Sequence, residues 1–299
     1  MNIFTPFLAL GLLWLMVPAV KAEADKTMIF ESNQESGNNV EGEIRQGDLT
    51  ATLRYRTETT DGLKSWTPIV TVYVKNQAVA TVQGTENLFF PAGLIQITEM
   101  DRRNPYPEVI LSTYTGGAHC CNEVTVLTSN PEGKQWFPVE LGLFNGGPHP
   151  AVDIDNDGID EYVEIDNRFL YRFTSYAASF APAQVWQIQG MNAVDVTHKP
   201  QFLFLHQENL DDMSKRFSED WFKDDPNGFL AAYVANKALV GELEDGWQTM
   251  MKYYDDTYAW GLSDCKQYDE QYNCLQEAKY DSYPEALRQF LIETDYIRN

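Results

Sequence analysis

Residues 153–164 read DIDNDGIDEYVE, and the acids in that run are spaced for a calcium ion. The run satisfies D-x-[DN]-x-[DN]-G-x5-E at every fixed position. Calcium is a hard cation that takes about six to eight oxygens. Aspartates at alternate positions of a tight loop bring their carboxylates inward together, and Gly158 permits the sharp bend. Two versions of the loop compete for the last ligand. If a helix follows, Glu164 at position 12 swings round to close the shell. If a strand follows, Glu161 at position 9 reaches the ion. Glu164 then lies about 10 Å further along and on the opposite face. The residues EYVEID (161–166) alternate as a strand does, and no helical periodicity flanks the loop. The expected calcium ligands are therefore Asp153, Asp155, Asp157, the backbone carbonyl of Ile159, and Glu161. Without a cation, three aspartates packed this closely repel one another.

Two other groups of residues invite a chemical reading. TGGAHCC (115–121) and NGGPHP (145–150) both contain G-G-x-H, at His119 and His149. Imidazole with thiol is a soft ligand set suited to copper or zinc, so His119, His149 and Cys120 or Cys121 are candidates for a second metal site; structural loops, or ligand contact by His119, Cys120 and Cys121, are the alternatives. Beyond the calcium run, Tyr171, Phe173 and Tyr176 form an aromatic stretch interleaved with Arg168 and Arg172. Such rings either stack on a sugar or protein partner or fill a core. Motifs for nucleophilic or phosphate chemistry are missing: there is no G-x-S-x-G, H-E-x-x-H, phosphate loop or C-x-x-C.

The elements that position these residues follow two patterns. From 27 to 206 the apolar period is two, and PIVTVYVKNQAVATVQG (68–84) reads as a hairpin turning near Asn76. From about 208 the period becomes 3.6. Leu210, Met213 and Phe217 step along one face, Pro226 and Gly241 bracket a helix, and Ser282 with Glu285 forms a capping box. The expected fold is multidomain α+β: a mainly antiparallel β body at 23–206, then an all-α C-terminal domain at 207–299. Cys265 and Cys274 close a short loop and are the pair expected to bond, which leaves Cys120 and Cys121 adjacent, either as two free thiols or in the rarer bond between neighbours.

The stretch DIDNDGIDEYVEID (153–166) resembles the FG-GAP or VCBS-type repeat, the calcium-binding β-repeat of propellers and of many secreted proteins. EMDRRNPYPEVIL (99–111) looks like a second, decayed copy, retaining Asp101 and Glu108 but carrying Arg102, Arg103 and Asn104 centrally. TGGAHCC and DNRFLYRFTSYAASFAP are also similar to uncharacterised exported bacterial proteins with such a loop. The resemblance implies a structural or ligand-binding role and no enzyme activity. One good repeat and one decayed one fall short of the four or more blades of a propeller, so an irregular propeller-like or sandwich-like body is expected.

The apolar run FLALGLLWLMV (7–17), followed by Val20 and Ala22, reads as a signal peptide at 1–22, with no membrane span after cleavage. The chain is thus expected to be exported, periplasmic or secreted, in a compartment that permits disulfides. A formal net charge of −22 argues against a nucleic-acid partner. The expected function is a calcium-stabilised, non-catalytic binding or scaffold protein, with an unknown protein or glycan as partner. A secreted hydrolase of glycosidase type, using an unrecognised carboxylate pair, is the alternative.

Overall fold

A computed structural model describes residues 26–31, 41–88, 92–116, 120–219 and 221–298. The signal-peptide reading and the candidate His119 lie outside the described residues. The fold is mainly antiparallel β, followed by a helical region. Contacts divide the described chain into two compact units. One runs to Ile165 and takes back Gln184–Lys199; the other comprises Asp166–Ala183 and everything from Pro200 onward. The single expected boundary at 206/207 thus gives way to several crossings of the chain between units.

In the β unit, β1 (Thr27–Glu31) lies at the edge of a five-stranded sheet. A separate four-stranded meander is built from β2 (Gly42–Gln46), β3 (Leu49–Thr60), β4 (Leu63–Val74) and β5 (Gln77–Gln83). Its turns are legible residue by residue. Asp61 and Gly62 both take positive φ between β3 and β4, and Lys75 and Asn76 do so between β4 and β5. These two-residue connections match the twist of the strands they join. The five-stranded sheet continues with β6 (Ala92–Thr98), β7 (Glu108–Tyr114), β8 (Cys120–Ser129) and β9 (Trp136–Asn145), in the order β1-β6-β7-β8-β9. One of its faces packs Ile95, Ile97, Val109 and Leu111 against Leu49, Leu53, Val70 and Val72 of the meander, as in a sandwich. The other face packs Leu94, Ile110, Val124 and Val126 against Tyr162 and Ile188. With both faces covered, β6 and β7 are buried along almost their whole length. A third sheet holds β10 (Tyr162–Ile165), β11 (Ala183–Gln189) and β12 (Asn192–Asp195).

The helical unit contains α1 (Leu203–Arg216), α2 (Trp221–Asp224), α3 (Asn227–Leu239), α4 (Leu243–Tyr253) and α5 (Tyr283–Glu293). Every residue of α3 from Asn227 to Asn236 is buried, so it is the central helix, apolar on all sides. Helix α5 starts as its sequence predicts: Glu285 N–H donates to Ser282 Oγ, and Glu285 Oε2 accepts from the backbone of Asp281. An element the helical pattern does not foresee breaks the all-α expectation here. Strands β13 (Ser263–Tyr268) and β14 (Cys274–Lys279) form a hairpin, and a Cys265–Cys274 disulfide joins them. Most of its residues are exposed, so it carries little apolar pattern to announce it. Cys120 and Cys121, which the sequence leaves as free thiols or a bonded pair, are joined to each other at the start of β8.

Candidate metal centre

The loop 153–160 is closed by a single antiparallel bridge. Val152 N–H donates to Glu161 O at 3.0 Å and Glu161 N–H to Val152 O at 2.8 Å. A strand, β10, follows, and no helix leaves the loop. Asp153, Asp155 and Glu161 each offer one oxygen, and the three oxygens lie within 4.8 Å of one another. This is the one cluster of potential metal ligands among the described residues.

Other parts of the expected shell stand differently. Asp157 is exposed and its Oδ1 accepts from Ile159 N–H, so it is turned onto its own turn. Its backbone N–H donates to Asp153 Oδ1 and Asp155 Oδ1, while Gly158 N–H donates to Asp153 Oδ2 at 2.8 Å. Backbone amides thus pull the aspartates inward. Asn156 and Gly158, both at positive φ, make that curl possible. Ile159 is half-buried in the same turn. Asp160 ties the loop to the end of β6: it accepts from Thr98 Oγ1 and from Glu99 N–H, and its own N–H donates to Glu99 O at 2.6 Å.

Glu161 is fully buried. Desolvation raises its pKa to about 7, against the opposing hydrogen bonds from Gln187 Nε2 and Ile154 N–H, with Asp155 and Asp157 adding repulsion. A buried carboxylate beside two others is a costly arrangement that a cation would relieve.

Glu164, the rival ligand, does not face this cluster. Its Oε1 lies 2.7 Å from His149 Nε2, and the imidazole stacks on Tyr162 at 4.6 Å. The G-G-x-H motif at His149 therefore serves an ion pair, and the adjacent Cys120 and Cys121 hold each other. Burial works against charging His149, but the Glu164 carboxylate outweighs it and raises the imidazole pKa. A raised folded pKa means stability fully present below the unfolded value and lost as pH rises through the folded one. The expected result is an imidazole titration, followed by NMR, with its midpoint above 6.5. In Glu164→Gln that midpoint falls; an unmoved midpoint would remove the pair from the account.

In the segment 99–111, Asp101 and Glu108 are held by protein donors. The Arg103 guanidinium grips Asp101 at 2.6 and 2.7 Å, and Gly190 N–H donates to the same carboxylate. Burial pushes Asp101 up, yet Arg103 and the backbone donors hold it below its ordinary value. Arg102 Nη2 meanwhile donates to Gly158 O at 2.9 Å, so the segment 99–111 braces the 153–160 loop. Only the long-range contacts reveal that brace.

Of the aromatic candidates, Tyr171 is half exposed and Tyr176 half-buried, with rings 5.5 Å apart. Phe173 is fully enclosed in the helical core and offers no ring to a ligand. The segment 167–180 is built of 3-10 turns, so neither a period of two nor one of 3.6 sorts its rings.

Residues 206–295 match the family described as the sll0997 C-terminal domain. The chain is 56% identical over 279 residues, 92% of its length and 82% of the relative's, to the "Probable thylakoid lumen protein sll0997" of Synechocystis sp.. It belongs to the sll0997 family. A second relative, the "Uncharacterized protein y4bJ" of Sinorhizobium fredii, is 32% identical over 207 residues. That match covers 68% of this chain but only 32% of the relative. No solved structure matches the chain. Membership of the sll0997 family overturns the FG-GAP/VCBS resemblance. The sheets among the described residues also have two to five strands each and show no propeller closure. A loop with calcium-type spacing is a local solution that unrelated folds reach independently, so it does not carry family membership.

Proposed function

We propose that this member of the sll0997 family is an exported, non-catalytic binding or scaffold protein whose β unit is clasped by a calcium ion. The observation that carries the calcium reading is the convergence of one oxygen each from Asp153, Asp155 and Glu161. Asp157 and the Ile159 carbonyl complete the set when the loop closes on an ion. All donors are hard oxygens on a flexible turn, which favours calcium over magnesium. Export is supported by the naming of the Synechocystis relative as a probable thylakoid lumen protein, by the apolar run ahead of Ala22, and by four cysteines that are all bonded. No helix among the described residues is long and apolar enough to cross a membrane.

The non-catalytic reading is supported by what the raised carboxylates do. Glu108 and Glu161, both raised to about 7, are fully buried; Glu108 is committed to protein donors and Glu161 to the calcium loop. Neither offers an oxygen to a substrate. The test of the site is a calcium titration by calorimetry. Asp155→Ala is expected to weaken binding by about tenfold or more, whereas Glu164→Ala, facing His149, leaves it within about twofold. The reverse ranking, or no calcium uptake by the wild type, ends the reading.

A further inference from the structure

The helical unit holds a cleft that the calcium centre does not use. Its volume is about 520 Å³, the size of a small-ligand site. Tyr171, Trp260 and Tyr268 line it with rings that are 50%, 43% and 56% exposed. The aromatic wall is fixed in place. Trp260 Nε1 donates to Tyr171 O at 2.8 Å, and the indole stacks on Tyr258. Tyr171 itself is held at a φ of +60°, with its N–H donating to Ser179 Oγ. A left-handed backbone at a tyrosine is costly, and here it turns the ring outward beside a buried neighbour, Phe173.

The floor is polar. Arg172 stacks over Phe173 and Phe290 and spends Nη1 on Gly261 O. Its Nε and Nη2 have no hydrogen-bond partner, and Nη2 lies 3.9 Å from Asp264 Oδ2. A hydroxyl bridging that gap would accept from the guanidinium and donate to the carboxylate. Glu277, from the opposite strand of the hairpin, adds a second acceptor, and the Cys265–Cys274 disulfide fixes that wall.

We propose that this cleft binds a neutral saccharide, its apolar ring face against Trp260 and Tyr171 and its hydroxyls between Arg172, Asp264 and Glu277. Charge selects the ligand class. Asp264 pairs with Lys266 at 2.7 Å and Glu277 with Lys279 at 3.2 Å, so the polar lining is close to charge-balanced and favours a neutral ligand over an ion. A wholly apolar ligand would leave Arg172 Nε and Nη2 unmet. Exposed rings beside paired donors and acceptors match a polyol with one apolar face. The inference deepens the binding reading and is independent of the calcium centre, whose ligands all lie in the β unit. A failed calcium titration leaves it standing.

The test is titration of the full exported chain with cellotriose and maltotriose, followed by calorimetry and tryptophan fluorescence, with chromatography for breakdown products. Saturable one-to-one binding of at least one trisaccharide is expected, with a Kd of about 1 mM or tighter. Trp260→Ala and Tyr268→Ala should each weaken it by about fivefold or more at unchanged melting temperature. Tyr268 makes an independent second arm because its ring is exposed and its removal leaves the Trp260 anchor in place. Failure of both sugars to bind, wild-type affinity in both variants, or cleavage of the sugar would overturn the proposal.

Discussion

Stripping calcium from the protein is expected to lower its melting temperature by about 8–16 °C. That figure follows from linkage. An ion that binds only the folded chain, at a free concentration about 1,000 times its Kd, stabilises it by about 4 kcal/mol. At roughly 2–4 °C per kcal/mol for a domain of this size, the shift reaches the stated range. The physical source is the crowding of Asp153, Asp155 and Glu161, the last buried and raised to about 7 without an ion. The check is scanning calorimetry in calcium and in excess chelator, with Asp155→Ala alongside. The variant should melt at the lower temperature in both buffers. A wild-type melt indifferent to chelator would take calcium out of the account.

Glu108→Ala is expected to cost about 4 kcal/mol at pH 5. The carboxylate is fully buried. Its Oε2 accepts from Met100 N–H at 2.7 Å and Asp101 N–H at 3.1 Å, and its Oε1 from Asn104 Nδ2 and Thr128 Oγ1. Alanine leaves those donors buried and unmet, at about 1–3 kcal/mol each for the ones that find no substitute. The cost depends on pH in a definite sense. Desolvation outweighs the four donors and raises Glu108 from 4.5 to about 7. The folded chain therefore holds a proton at a pH where the unfolded chain has released it. Its contribution is fully present below about 4.5 and is lost as pH rises through about 7. The penalty of the alanine variant should accordingly be smaller at pH 8 than at pH 5. Urea melts at the two pH values measure both; an equal penalty at each would show that Glu108 does not titrate in this window.

Much of the β unit was open to a reader of the sequence. The hairpin turn near Asn76 announces itself because Asn tolerates the positive φ that the turn requires. The same holds for Ser282 and Glu285 at the start of α5. The family, by contrast, was misread from the calcium spacing, since twelve residues that suit an ion constrain only their own turn. The aromatic stretch after the loop was also only half legible. Tyr171 faces outward and Phe173 inward, as decided by a left-handed residue and two 3-10 turns without a long period.

The sequence by itself determined the β-then-helical order of the elements, the rivalry between Glu161 and Glu164, and the acidic, disulfide-permitting character of the chain. Those properties rest on local backbone sterics and residue chemistry, which act over a few positions. Tertiary structure alone decided that Glu164 turns to His149, that Arg102 braces Gly158, that Thr128 meets Glu108, and that Trp260 anchors on Tyr171. Each of those pairs joins residues 15 to 89 positions apart. Only the packing of sheets and helices brings such partners together, because the contacts that reward it do not exist until the chain has folded.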